Sequence, residues 1–332
     1  MPEQEETKQE EKAAPKKKGC LGCSFPLIIG ILVAFIVLFL IGFASGPLGK
    51  SIVGDIGLPS WLSVVQPHPE LPAEVVFHIL GIPITNSIVA SWVTILVLVG
   101  FSYAVSHRLR VIPGRMQAIL EFIISALLDF CQSVAGKERG RRFFPVVATI
   151  FLFVAFNAWL SLLPGYGSII IHTHEGEAHL LRAANTDINT PLAIAVMSFI
   201  FVEYFGLRLM GIGYLGKFIN VGQFFTGLRQ LARGKLLAGL NGMFTGVINI
   251  FIGMIEALSE LVRIISFTLR LFGNMTAGEI LLLMATFLIP FLFALPFYGL
   301  ELLVGFVQAL IFGGLTLIFL TVATTHHGGE AT

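Results

Sequence analysis

Long apolar runs separated by charged or proline-rich breaks set the layout of this chain. The first run, residues 25–44, has the length of roughly 20 residues that crosses a hydrocarbon core, and it predicts an N-terminal membrane anchor. Residues 45–85 are punctuated by Pro47, Pro59, Pro67, Pro69, Pro72 and Pro83, each lacking a backbone donor, and predict an irregular extramembrane segment. Further spans are predicted at 87–105, at 143–163 and at about 190–207. Between the second and third, 116–134 is amphipathic, with Arg108, Arg110 and Arg115 before it and Lys137, Arg139, Arg141 and Arg142 after it. That pattern predicts a helix lying in the membrane interface. Residues 240–289 contain no proline. At 1.5 Å per residue a continuous helix there is about 70 Å long, over twice a bilayer core, so it must tilt strongly, bend or break. Pro290 and Pro296 mark a turn, and 297–325 returns as a second long helix.

The predicted fold is an all-α integral membrane protein. It has about six membrane-crossing helices, an interfacial amphipathic helix and a C-terminal hairpin of two long tilted helices. The organisation is a charged, disordered tail (1–24), an anchor (25–44), an extramembrane segment (45–85), a polytopic body (86–326) and a short tail (327–332). Composition agrees: 55% of the 332 residues are apolar, only 12% are charged and Phe occurs 30 times, too little polar surface to wrap a soluble globule. A net charge of +1 gives no footprint for nucleic acid. The Lys/Arg-rich loops at 107–142 and 208–235 fall on one side of the alternation. The loops at 45–85 and 164–189, holding only Lys50 and Arg182, fall on the other. The positive-inside rule then puts both termini in the cytoplasm of a multi-pass membrane protein.

Two features near the N-terminus have rival readings. Lys16, Lys17 and Lys18 before the first apolar run, with Phe43-Ala44-Ser45 after it, resemble a cleaved leader, but the run is long for that and favours an uncleaved anchor. Cys20 and Cys23 have a CxxC spacing suited to a metal, a redox pair or an acyl chain. With no second pair, they are read as part of an inert tether.

Charge inside the last two apolar runs carries the chemistry. Glu256, Glu260, Arg263, Arg270, Asn274, Glu279, Glu301 and Gln308 all sit there. A charged side chain at a helix centre costs roughly 2.5–3.5 kcal/mol on insertion scales, so such groups normally face protein, water or an ion path. The plain alternative is a structural ion pair, Glu256 with Arg263 for instance. Glu256, Arg263, Arg270 and Asn274 are spaced by 7, 7 and 4 residues and share one stripe of a helix. Glu279, nine residues beyond Arg270, falls on the opposite face, while Glu301 and Gln308 share a face of the returning helix. Arg270 keeps its proton at any working pH. A fixed cation beside titratable carboxyls offers proton transfer with an electrostatic gate.

The segment Leu269-Arg270-Leu271-Phe272-Gly273-Asn274-Met275-Thr276-Ala277-Gly278-Glu279 resembles the signature of subunit a of the membrane (Fo) sector of F-type ATP synthases, LRLFGNMxAGE. The likeness extends to Gln308 in Gln-Ala-Leu-Ile-Phe, to 185–192 (NTDINTPL) and to 77–87 (FHILGIPITNS), and spans about 70–326. It implies a stator subunit with two offset half-channels that carry protons to and from carboxylates of a c-subunit ring, coupling proton flow to rotation and ATP synthesis. The implied partners are that ring, b-type peripheral stalk subunits, the rest of the synthase and membrane lipid; the implied setting is a bacterial-type inner membrane. Arg270 matches the essential arginine facing the ring, Gln308 its glutamine neighbour and Asn274 the polar residue one turn on. Glu256, Glu279 and Glu301 match half-channel positions, and Arg263 stands where others have Lys. Glu301 departs from family members that carry His opposite the acid at 279. Such a subunit is not catalytic alone and requires no cofactor or metal.

The rival class is a proton-coupled secondary transporter, which would show two halves with similar broken helices, and no such repeat is present. A non-conducting assembly anchor would tolerate an apolar residue at position 270. His172, His174 and His179 with Glu175 and Glu177 have ligands for a metal, but read more simply as a solvated loop.

Overall fold

In a computed structural model, residues 25–54, 66, 72–107, 114–173, 176–218 and 222–325 are described. The tail at 1–24 with Cys20 and Cys23, and likewise Arg108, Arg110, His174, Glu175, His326 and His327, lie outside them. The elements are α1 (Phe25–Ser45), α2 (Pro47–Val53), β1 (Val75–Ile79), β2 (Ile82–Thr85), α3 (Asn86–Ser106), α4 (Arg115–Ala135), α5 (Lys137–Ser161), β3 (Ile170–Thr173), β4 (Gly176–His179), α6 (Asn189–Met210), α7 (Gly222–Ala232), α8 (Leu236–Leu288) and α9 (Ala294–Ala323). A 3₁₀ segment, Gly211–Lys217, follows α6.

The chain forms two compact units. In the first, Met1–Val65 with Thr286–Phe293, Gly42 and Gly46 lie against the backbones of Pro290 and Leu288, where any side chain would collide. The second, Gln66–Ala285 with Ala294–Thr332, holds α3 to α7, most of α8, and α9. Its centre is α5 and α9, with α4, α6 and α8 against them: Phe151, Val154, Ala158, Ala195, Phe267, Leu271, Ala309 and Phe312 form one buried cluster. Lipid removes the usual hydrophobic drive between helices, so close backbone approach and polar ties matter more. Gly305 packs on Ala158, Asn157 Nδ2 donates to Thr94 Oγ1 across α5 and α3 at 3.3 Å, and Ser198 and Thr316 hydroxyls meet across α6 and α9 at 2.8 Å.

The stretch expected to be irregular is not so throughout. Pro47 opens α2 at a position where its missing N–H is free anyway, and 75–85 is an antiparallel hairpin turned at Leu80 and Gly81, both at positive φ. A second hairpin, β3–β4, occupies the polar loop between the third and fourth spans, and β1 lies beside both its strands. Glu74 accepts from the His179 N–H at 2.7 Å, Arg182 donates to the Pro72 carbonyl at 3.0 Å, and Ser87 donates to Asp187 at 2.6 Å.

These ties decide the crossings. Six helices among the described residues are long and apolar enough to cross a membrane, and Gln117–Ala135 in α4 is one of them. The start of α3, the end of α5 and the start of α6 nevertheless share one side, because the two hairpins touch. An even number of crossings must therefore lie between Thr85 and Ile170. With α3 and α5 crossing once each, α4 returns to the side it came from, in keeping with an interfacial helix. It rests on α5 and α9 through Leu127 and Cys131 and turns outward with Ile119 and Phe122. α8 is one unbroken helix of 53 residues, roughly 80 Å at the usual rise. It pairs antiparallel with α9, and its residues 279–283 reach the cavity on the hairpin side, so α8 crosses and, among the described residues, the count returns to six: α1, α3, α5, α6, α8 and α9.

Candidate functional site

Three polar groups lie in order along α8. At the middle, Asn274 Nδ2 donates to Gln308 Oε1 of α9 at 2.8 Å. Gln308 is almost wholly buried and its Nε2 has no partner among the described residues. One turn before Asn274, Arg270 is exposed on the outward side of α8, with no hydrogen bond or ion pair to any described residue. Gly273 shares that outward face and has open space in front of it. Leu269 beside them is also half exposed. A permanent cation therefore stands exposed on a face that Leu269 and Gly273 leave mostly apolar and only Asn274 makes polar, which in isolation would be an expensive thing to present to lipid.

Toward the hairpin side lies a cavity of about 480 Å³, lined among others by Glu74, Tyr166, Arg182, Glu279, Tyr298 and Glu301. Glu301 is buried, its carboxylate against the bare Cα of Gly278, where any Cβ would collide with it. Glu279 also faces the cavity but does not hydrogen-bond to Glu301. Its charged neighbour is Arg182 of the loop before α6, 3.6 Å away. Glu279 Oε2 and Arg182 Nε have no hydrogen-bond partner among the described residues, which leaves both free to bond water in the cavity. Burial pushes the Tyr166 phenol up to about 12, so it stays protonated in this cavity.

Toward the opposite side, α6, the 3₁₀ segment and α8 meet in a charged network. Tyr214 OH donates to Glu203 at 3.1 Å, and Lys217 Nζ donates to Tyr214 OH at 2.5 Å and pairs with Glu203 and Glu260 at 3.4 and 3.3 Å. Arg263 completes it through Glu260 and stacks on the Phe319 ring at 3.7 Å. Burial and the Glu203 carboxylate push the Tyr214 phenol up.

The sequence-derived residues are thus partly assembled. Asn274 meets Gln308, and Glu279 and Glu301 share one cavity. Glu256 is half buried and has no partner among the described residues; the pairing weighed for it, Arg263, goes to Glu260. Sequence reasoning missed Arg182 as a site residue, and it missed Glu203, Tyr214 and Lys217. Glu203 carried a usable signal, an acid inside the fourth apolar run, identical in kind to the one that singled out Glu279.

Fold and site together define a multi-pass helical membrane protein whose last helix pair carries a cation, unpaired among the described residues, between two polar clusters at different levels of the helices. Residues 88–321 match the family model described as ATP synthase A chain. Among curated proteins, ATP synthase subunit a of Desulfosudis oleivorans is 30% identical over 264 residues, 78% of this chain and 98% of that one. ATP synthase subunit a 1 of Pelobacter propionicus is 31% identical over 235 residues, 71% of this chain and 86% of that one, and ATP synthase subunit a of Gloeobacter violaceus is 29% identical over 242 residues, 73% and 85%. The chain belongs to the ATP synthase A chain family.

Proposed function

We propose that this chain is the proton-carrying stator subunit of a rotary ATP synthase, working against a ring of c subunits and held by b-type peripheral stalk subunits. The observation that carries the reading is Arg270: a cation on the outer face of α8, unpaired among the described residues, midway between the Glu279/Glu301 cavity and the Glu203/Lys217/Glu260/Arg263 network. Nine residues separate Arg270 from Glu279 and ten from Glu260, about 14 and 15 Å along a helix. Water reaching each cluster from its own side stops short of Arg270.

A ring carboxylate entering this low-dielectric contact as an anion is too costly unless it is paired, and Arg270 supplies the pair transiently. Its planar guanidinium, fixed in charge, can face a carboxylate with two parallel donors. Asn274 and Gln308, locked to each other one turn away, keep the neighbouring surface polar. Glu279 and Glu301 receive or release protons on the hairpin side, and Glu256 with Arg263 lies along the path on the other. The same cation repels a proton passing directly between the two paths. Each proton crossing yields about 2.3 kcal/mol per 100 mV, which rotation accumulates for ATP synthesis. The chain carries no catalysis alone. Residues 86–326 are the conducting body, 25–44 is an added anchor, and both termini lie in the cytoplasm of a bacterial-type inner membrane. In the intact complex, a cysteine replacing Gly273 should cross-link to the membrane helix of the ring. Cross-linking only to lipid-exposed reagents, with no ring product, contradicts the reading.

A further inference from the structure

The turn between α7 and α8 carries an unusual charge pattern. From Glu203 to Glu256 the chain has no acidic residue, while Arg208, Lys217, Arg229, Arg233 and Lys235 fall in that interval. Two of the five are occupied: Lys217 by Glu203 and Glu260, and Arg208 by the Tyr204 hydroxyl at 3.0 Å. Arg229, Arg233 and Lys235 are exposed and make no hydrogen bond or ion pair through their side chains with any described residue.

Their placement is built by the fold. α7 runs antiparallel to the start of α8 at very short range, Gly227 against Gly242 and Met243, Leu231 against Gly239, and Phe224 against Gly246, so side chains at these glycines would drive the helices apart. Asn249 Nδ2 donates to Gln223 Oε1 at 3.0 Å at the open end of the pair. The closed end is the turn Arg233-Gly234-Lys235, with Gly234 at φ 79°. Beside these cations the surface is apolar: Phe225 is 61% exposed, Leu236 67% and Leu237 89%. The turn lies on the side of the membrane opposite the two hairpins, since α6 starts among them and crosses once. A crossing uses about 20–30 of the 53 residues of α8, so the first turns of that helix, with α7, stand at or beyond that face of the core.

We propose that the tip of the α7–α8 pair is a docking site for anionic phospholipid. Leu236 and Leu237 dip into the leaflet, and Arg229, Arg233 and Lys235 hold phosphate headgroups. Three cations, unpaired among the described residues and next to exposed leucines continuous with the lipid-facing surface of α8, fit a negatively charged leaflet by charge and by polarity. This goes beyond the proton path: none of the three residues belongs to it.

The test uses the intact synthase, with Cys20, Cys23 and Cys131 removed and Leu237→Cys carrying an environment-sensitive dye. The complex is placed in nanodiscs of phosphatidylcholine alone or mixed with phosphatidylglycerol, and quenching by spin-labelled phosphatidylglycerol is compared with quenching by spin-labelled phosphatidylcholine. The dye should report an apolar environment and a preference for the anionic lipid. That preference should fall about fivefold for each of Arg229→Gln, Arg233→Gln and Lys235→Gln, about 1 kcal/mol per charge. Arg229→Lys with Arg233→Lys should keep it, and free glycerol phosphate should not compete. Equal quenching by both lipids, or a preference unaffected by removing all three charges, overturns the proposal. So does a dye quenched by neither spin-labelled lipid, which would put another subunit over the tip in place of lipid.

Discussion

Gly278→Ala places a single methyl where the structure has none to spare. The added Cβ would lie on the Glu301 carboxylate, so that side chain must swing away. Two effects on stability oppose each other. Alanine gains about 1 kcal/mol over glycine inside a helix. Overpacking costs about 1–3 kcal/mol when nothing can move, but here the obstacle is the tip of a flexible side chain, and an off-rotamer Glu costs only about 0.5–1.5 kcal/mol. The two nearly cancel, and the complex should assemble and melt within about 1 kcal/mol of the parent. Function should not survive as well, because the carboxyl no longer stands at its place in the cavity; a misplacement of about 1 Å can lower a rate by about 10²-fold. The assay is ATP-driven proton uptake by vesicles, normalised to assembled complex. Glu301→Asp added to Gly278→Ala, one methylene shorter, should recover part of the uptake. Parent-level uptake by Gly278→Ala alone would refute the reasoning and make Glu301 a packing residue.

Asn274→Leu should destabilise the subunit by about 1–3 kcal/mol, because it strips the buried Gln308 amide of its one partner, and Asn274→Leu with Gln308→Leu should recover most of the loss in a thermal assay of the complex. Tyr166→Phe should leave every midpoint of the pH–activity profile between pH 5 and 9 in place. The folded phenol is raised to about 12 against an ordinary value near 10, so the stability it contributes is fully held below pH about 10 and is lost only as pH rises toward 12. A moved midpoint near neutrality would show that the phenol exchanges protons in the cavity.

The membrane body was legible because lipid enforces its own grammar: a span must be apolar for about 20 residues, and a charge within one must have a reason. That rule alone singled out Arg270, Asn274, Glu279, Glu301 and Gln308. Two things were not legible, the hairpin at 75–85 and the reach of Arg182. The hairpin at 75–85 was hidden by Pro83, which sits in β2 of a sheet of only two strands, where a missing donor is tolerated. The interfacial reading of α4 came from its amphipathic pattern and flanking cations, and the contact between two hairpins far apart in sequence, which fixes the parity, agrees with it. Arg182 reaches Glu279 across nearly a hundred positions, and no periodicity reports a neighbour brought in by a loop. The assignment of Arg263 to Glu260 in place of Glu256 is a matter of three residues against seven on one helix: both spacings share a face, and the nearer acid is the one that Lys217 also holds.

The central claim is that Arg270 is the fixed counter-charge for a rotor carboxylate and the barrier between two proton paths. Replacing it with Ala in the intact complex, and measuring ATP-driven proton uptake by reconstituted vesicles together with passive proton flux, tests both halves at once. The account predicts fully assembled complex, no ATP-driven uptake and a rise in passive flux, with Arg270→Lys severely impaired because a hydrated ammonium lacks the planar fork. Uptake at the parent rate by Arg270→Ala would contradict it.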